Sequence, residues 1–180
     1  MSHSEEDPAS LHRQRAPNKV GFGILTISTS RAKGTVSTNR TLELLAPLLT
    51  EAGHALVQQE VILDESKAIQ RAVHELVQNG NVDAIVLSGG TGIASSDVTI
   101  EAIRPLFTKE LSAFGAIFAM LSYEQVKAAA VLSRATAGII NKKPVFLLPG
   151  SPKAVLMAFQ KIILPEIGHV LNICAKESET

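Results

Sequence analysis

Two glycine-bearing loops hold most of the chemistry that this sequence can offer. Ser88-Gly89-Gly90-Thr91-Gly92 directly follows Val82-Asp-Ala-Ile-Val-Leu87, an apolar run with the make-up of a buried strand. Glycines there let backbone N–H groups approach an anion closely and permit positive φ. Ser96 or Asp97 then opens the next helix, whose N-terminus carries partial positive charge, so a phosphate suits this loop. A glycine-rich turn with an ordinary N-cap explains the same residues when they are taken alone. Neither the Walker spacing nor the dinucleotide G-x-G-x-x-G spacing is present. Pro149-Gly150-Ser151-Pro152 repeats the arrangement at the end of a later apolar run, with Ser151 placed to cap and Pro152 suited to the first helical position. Two such loops on one sheet edge point to a phosphate-bearing ligand.

A third element is the segment Thr26 to Thr41. Eight of its sixteen residues carry hydroxyls, Ser28 and Ser30 among them, and Arg31, Lys33 and Arg40 supply three positive charges with no carboxylate. Hydroxyls and guanidinium groups are good donors to oxyanions, although a solvated loop has the same composition. Asp97 and Glu101 are four residues apart and share a face if the helix has begun, where they would hold Mg²⁺ against phosphates. Asp97 serves equally well as a helix cap. The five histidines are scattered without the spacing of a zinc site.

The elements that must position these residues alternate in period. Val20 to Ile27 reads as a strand, as do Ala55 to Leu63 and Val82 to Leu87. Between them Leu42, Leu45, Leu48, Leu49 and Ala52 recur at helical spacing before Gly53, and Ile69, Ala72, Val73, Leu76 and Val77 do so before Asn79-Gly80. Strand–helix alternation of this kind predicts βαβ units, a mostly parallel sheet with helices on both faces, and a ligand edge at the strand C-termini. Thr99 to Ala130 reads as mostly helical, with interruptions near Pro105 and Gly115. Thr136 to Leu148 reads as two strands joined by a turn, and the last helical stretch is expected to break at Pro165. Residues 1–18 and 176–180 read as polar tails around a domain spanning 19–175.

Composition removes several functional classes. The chain has 180 residues, and 17 Lys+Arg balance 17 Asp+Glu, so no global field draws it to nucleic acid or to an anionic membrane. One cysteine permits no intrachain disulfide and fits a reducing, cytoplasmic setting. No Trp and one Tyr leave little for a base-stacking platform. No uninterrupted apolar run approaches the ~20 residues that span a bilayer.

Together the motifs LSGGTGIASSDVTIEAI, FGAIFAMLSYEQV, LSRATAGI and FLLPGSPKAV resemble the molybdopterin-binding domain family of molybdenum cofactor biosynthesis, the molybdopterin adenylyltransferase type, over about Val20 to Ile173. The resemblance implies a three-layer αβα domain that assembles as a homo-oligomer, a trimer or hexamer, and works beside other molybdenum cofactor biosynthesis proteins. It implies molybdopterin as ligand or substrate, held by its terminal phosphate, and Mg-ATP as the partner that adenylylates that phosphate. Carried over by position, Gly89, Gly90, Thr91 and Gly92 would contact the ligand, Asp97 would be the required acid with Mg²⁺ as its metal, and Glu101 the acid of the same helix. Ser133-Arg134 matches the family's S-R-A element, and Pro149, Gly150 and Ser151 match its second ligand loop. Five positions depart from the pattern: Thr29 and Asn39 stand where acids are usual, Ser96 where Arg is usual, and Ala116 and Ala119 where Glu and Arg are usual. Losing that many charges favours a non-catalytic carrier or assembly subunit as the alternative to a transferase.

Overall fold

A computed structural model describes residues 19–34 and 39–176. Of the stretches read as tails, 1–18 and 176–180, all but Lys176 lie outside the described residues, as do Thr35, Ser37 and Thr38 of the hydroxyl-rich segment. The chain runs β1 (Gly21–Ile27), α1 (Thr29–Ala32), α2 (Arg40–Glu51), β2 (Ala55–Ile62), α3 (Ser66–Gln78), β3 (Ala84–Ser88) and α4 (Thr99–Ile103). A 3₁₀ turn (Arg104–Leu106) leads to β4 (Lys109–Glu110), α5 (Ser112–Val126) and a second 3₁₀ stretch (Lys127–Leu132). Then come β5 (Thr136–Ile140), β6 (Lys143–Leu148), α6 (Pro152–Ala158), a π turn (Phe159–Ile163) and α7 (Leu164–Lys176).

The six strands form one sheet in the order β2-β1-β3-β6-β5-β4. The first four are parallel, and β5 and β4 extend the sheet in antiparallel fashion. Alternate residues of each central strand face opposite sides. Phe22, Ile24, Val86 and Phe146 face a cluster with α2, α5 and α6, while Leu25, Ile85, Leu87 and Leu147 face one with α3 and α4. Two cores on one sheet make three layers, the αβα arrangement that the sequence predicts.

Local differences have local causes. Gly115 does not interrupt a helix but lies within α5, where a β-carbon would stand 2.8 Å from the Ala135 carbonyl oxygen. Its small size lets the helix press onto the chain entering β5. Pro165 does not break the last helix either. Pro165 follows the π turn, which ends at Ile163, and the chain stays helical on both sides of it. The helix then reaches Lys176, one residue into the expected tail. By length and composition the continuous stretch Pro152–Lys176 is long and apolar enough to cross a membrane. Its Val155, Phe159, Ile163 and Ile167 are instead core residues packed on the sheet.

Candidate functional site

The C-terminal ends of β1, β3 and β6 open into a cavity of about 1190 Å³. Ser28 and Ser30, the first glycine loop, Asp97, Ser133-Arg134 and Pro149-Gly150-Ser151 all line it and share one space, whereas Glu101 and the cationic Arg31, Lys33 and Arg40 of the hydroxyl-rich segment do not. Three stretches that span more than a hundred residues of sequence meet there because parallel pairing puts their strand ends on the same edge.

The glycine loops form a single cradle. Gly89 and Gly90 have φ of 114° and 62°, which side chains rarely adopt. A β-carbon at Gly89 would stand 2.2 Å from the Ile27 carbonyl oxygen, and one at Gly90 2.3 Å from Thr99 Oγ1. Both glycines are therefore fixed by space as well as by conformation. The Thr99 hydroxyl donates to the Gly89 carbonyl at 2.9 Å, and the Thr99 N–H donates to the Gly90 carbonyl at 2.9 Å, tying the loop to α4. The Ser88 hydroxyl donates to the Pro149 carbonyl at 3.2 Å, joining the first loop to the second. Ser151 occupies the N-cap position of α6 without a side-chain capping bond, so its hydroxyl is left on the cavity wall.

Asp97 takes a different place from the one expected. The helix opens at Thr99, not at Ser96 or Asp97, so Asp97 and Glu101 do not share a helix face. The carboxylate of Asp97 turns back to accept the Ala94 N–H at 3.0 Å and lies 2.6 Å from where a β-carbon on Gly92 would be. It closes the glycine loop and still lines the cavity. Beside it is Asp64, which belongs to none of the sequence motifs. Asp64 accepts the Val98 N–H at 3.4 Å, and its carboxylate lies 2.7 Å from the position of a β-carbon on Gly90. Burial pushes the Asp64 carboxyl above its ordinary value; the Val98 N–H opposes this and the nearby Asp97 charge adds to it. The available signal was positional: Asp64 follows β2, so it stands on the same sheet edge as the glycine loops.

Glu101 does not line the cavity but forms an ion pair with Arg134, which does. Hydrogen bonding to its own backbone N–H and to Arg134 holds the Glu101 carboxyl below its ordinary value. Glu101 is thus placed to hold Arg134 rather than to touch a ligand. Next to Arg134, the Ser133 hydroxyl is buried without a hydrogen-bond partner among the described residues, and such an atom in a cavity wall is suited to a polar ligand group. The remaining wall comes from α5 and the 3₁₀ stretch after it. Lys127, at φ 53°, turns the chain there, and Phe118, Ser122 and Gln125 line the cavity with Lys153 of α6. Phe118, Ser122 and Gln125 belong to the FGAIFAMLSYEQV motif and Lys153 to FLLPGSPKAV, but no residue-level signal in either motif singles them out.

The five departures divide in two. Thr29 and Ser96 line the cavity. Asn39 caps α2 through a bond from the Leu42 N–H and donates to Thr26 Oγ1 at 2.9 Å. Ala116 is exposed on α5 and Ala119 half-buried, and neither lines the cavity. Among the described residues no three His, Cys, Asp or Glu side chains gather as a metal cluster. Asp64 and Asp97 remain as two adjoining carboxylates, a set that suits Mg²⁺ when phosphate oxygens complete its shell.

Comparison with known proteins agrees with the α/β fold. Molybdenum cofactor biosynthesis protein B of Bacillus subtilis (strain 168) is 47% identical over 167 residues, covering 92% of this chain and 96% of that one. A crystal structure of molybdenum cofactor biosynthesis protein B superposes with a TM-score of 0.82 at 42% identity, over 89% of this chain and 99% of the other. The tungsten cofactor synthesizing protein MoaB from Pyrococcus furiosus gives 0.80 at 40% identity, over 88% and 99%. The sequence model of the family described as "Probable molybdopterin binding domain" matches residues 23–169. With nearly the whole folded chain matched and the two glycine loops at its strand ends, the protein belongs to the molybdopterin-binding domain family of molybdenum cofactor biosynthesis.

Proposed function

We propose that the cavity binds molybdopterin, with its terminal phosphate on the cradle formed by Gly89, Gly90 and Gly150. The observation that carries this reading is the meeting of two glycine loops at the ends of β3 and β6, where the loops and Ser28, Ser30 and Ser151 surround one space. The apolar side of the cavity, with Phe118, Ala129 and Leu132, takes the uncharged part of the ligand, while Ser133 and Arg134 meet its polar edge.

The bound phosphate is also a nucleophile for adenylyl transfer from Mg-ATP. Its oxygen attacks the α-phosphorus, the bond from that phosphorus to the bridging oxygen of the β-phosphate breaks, and pyrophosphate leaves. Asp64 and Asp97 would hold the Mg²⁺, which neutralises phosphate charge when bound. The non-catalytic carrier reading has its own observation, the neutral Thr29 and Ser96 at the cavity wall. In either role the protein acts as a cytoplasmic homo-oligomer, a trimer or hexamer, beside other molybdenum cofactor biosynthesis proteins. The exposed apolar residues of α5 and the stretch after it support subunit contact.

Calorimetric titration with molybdopterin tests the reading, and no binding to molybdopterin or to its adenylylated form would overturn it. Pyrophosphate release from ATP plus molybdopterin separates transferase from carrier.

A further inference from the structure

A second groove of about 340 Å³ adjoins the main cavity, between α5 and the outward face of α6 and the π turn. Gln125, Lys153, Leu156, Met157, Gln160 and Lys161 line it. Gln125 and Lys153 line the main cavity as well, so the two spaces meet at that pair. From Lys153 the other four residues follow at three, four, seven and eight positions, the spacing of one helix face. A lysine stands at each end of this face, with Leu156 and Met157 as a floor and Gln160 at the side. No carboxylate lines the groove. Both lysines are exposed, and neither has an ion-pair partner among the described residues.

We infer that this groove is a second anion subsite, taking the outer phosphates of an oligophosphate whose inner end lies in the main cavity. The inference rests on the proposal that the glycine cradle holds phosphate. Lys153 stands at the junction, where it serves both spaces. Lys161 is eight residues farther on, about 12 Å along the axis, a gap that two flexible four-carbon stems can narrow from either side. One phosphate on the cradle is in reach of Lys153 only. A chain of phosphates continues from Lys153 toward Lys161.

The test is calorimetric titration of the full chain with inorganic phosphate, tripolyphosphate and ATP at about 0.15 M ionic strength. Screening over about 8 Å then confines Lys161 to anions that touch it. Lys161→Gln is expected to weaken tripolyphosphate about tenfold, the loss of one charged contact. Phosphate affinity should stay within about twofold, and Lys161→Arg should retain tripolyphosphate binding. ATP binding should weaken in Lys161→Gln as tripolyphosphate binding does, and ATP affinity unchanged in that variant counts against the subsite. Unchanged tripolyphosphate affinity in Lys161→Gln, or an equal fall for phosphate and tripolyphosphate, overturns it. Binding of no probe by the unaltered protein overturns the cradle reading and the subsite with it. Lys161 is exposed, so the variant's unaltered melting temperature checks that the fold is intact.

Discussion

Gly150 rests against Gly89: a β-carbon on Gly150 would stand 3.5 Å from the Gly89 Cα, at ordinary van der Waals distance. The two loops therefore touch without interlocking, and substitutions in them should separate binding from folding. Gly150→Ala fits the fold and places a methyl group between the loops, so melting should change little while molybdopterin affinity falls. Gly89→Ala must instead adopt φ 114° and displace the Ile27 carbonyl, 2.2 Å from the new atom. Strain of that kind costs about 1–3 kcal/mol, so Gly89→Ala should lose stability as well as affinity. Thermal melts beside titrations check both, and equal destabilisation by the two variants would count against a cradle.

Asp64 and Asp97 give a prediction whose sign follows from linkage. The Asp64 carboxyl titrates above its ordinary value in the folded state, first because of burial and then because of Asp97. In the window from the ordinary aspartate value up to that raised value, the folded protein holds more proton than the unfolded chain. Stability therefore falls as pH rises through the window, and ionised Asp64 is a burden at neutral pH. Asp64→Asn keeps an acceptor for the Val98 N–H and removes the charge. It should flatten this part of the stability profile and leave the protein at least as stable at pH 7. Mg-dependent binding of ATP should weaken in the same variant. Denaturant midpoints measured across pH give the first readout, and a variant profile parallel to the parent's would refute the assignment.

What was legible in the sequence was whatever a single segment carries. The glycine loops stood out because a continuous apolar strand runs into each, and parallel topology then put both on one edge. Asp64 was not legible, because it becomes a site residue only when β2 and β3 bring it beside Asp97, a neighbour distant in sequence. Asp97 looked like a helix cap because Asp favours that position, yet its carboxylate turns back to the Ala94 N–H and delays the helix to Thr99. Glu101 appeared to share its face for the same reason. Gln125 and Lys153 are ordinary polar residues on helices until α5 and α6 pack side by side.

Glu101 acts through Arg134, and its removal should move binding more than folding. The lowered carboxyl of Glu101 means that its ionised form is the one stabilised in the fold, by its own backbone N–H and by Arg134. Its contribution is complete above the ordinary glutamate range and is lost as pH falls through the lowered value. Glu101→Gln should release Arg134 and weaken ligand binding several-fold near neutral pH, with a melting temperature close to the parent's because an exposed pair adds little stability. Glu101→Asp should recover part of the affinity. If Glu101→Gln lowers the melting temperature steeply and leaves affinity intact, Glu101 is structural instead.

The hairpin between β5 and β6 turns through Asn141 and Lys142, at φ 46° and 65°. Two consecutive residues with positive φ are the signature of the type I′ turn, in which Asn-Gly is the favoured pair. Lys142 occupies the glycine position with a side chain that disfavours that conformation. Lys142→Gly should therefore raise stability by about 0.5–1 kcal/mol. The change should appear as a higher denaturant midpoint at unchanged slope. The turn is at the opposite end of the strands from the cavity, so ligand affinity should not move.

On α5 and the stretch that follows, Met120, Tyr123, Val126, Val131 and Leu132 are all more than half exposed, and Val131 reaches 85%. An apolar group of this kind is uncommon on a monomer surface and marks a contact with another molecule. Val126 and Leu132 also line the cavity, so a subunit seated here would cover part of its rim. Sedimentation of the intact chain should give a trimer or hexamer whose melting temperature rises with concentration. Met120→Glu puts a charge in the middle of the face without touching the core, since Met120 is 59% exposed. It should yield smaller species with unchanged circular dichroism, and molybdopterin affinity should fall where the neighbour completes the rim. A native chain that sediments as a monomer at every concentration, or a Met120→Glu variant that assembles like the parent, would remove this face from the subunit contact.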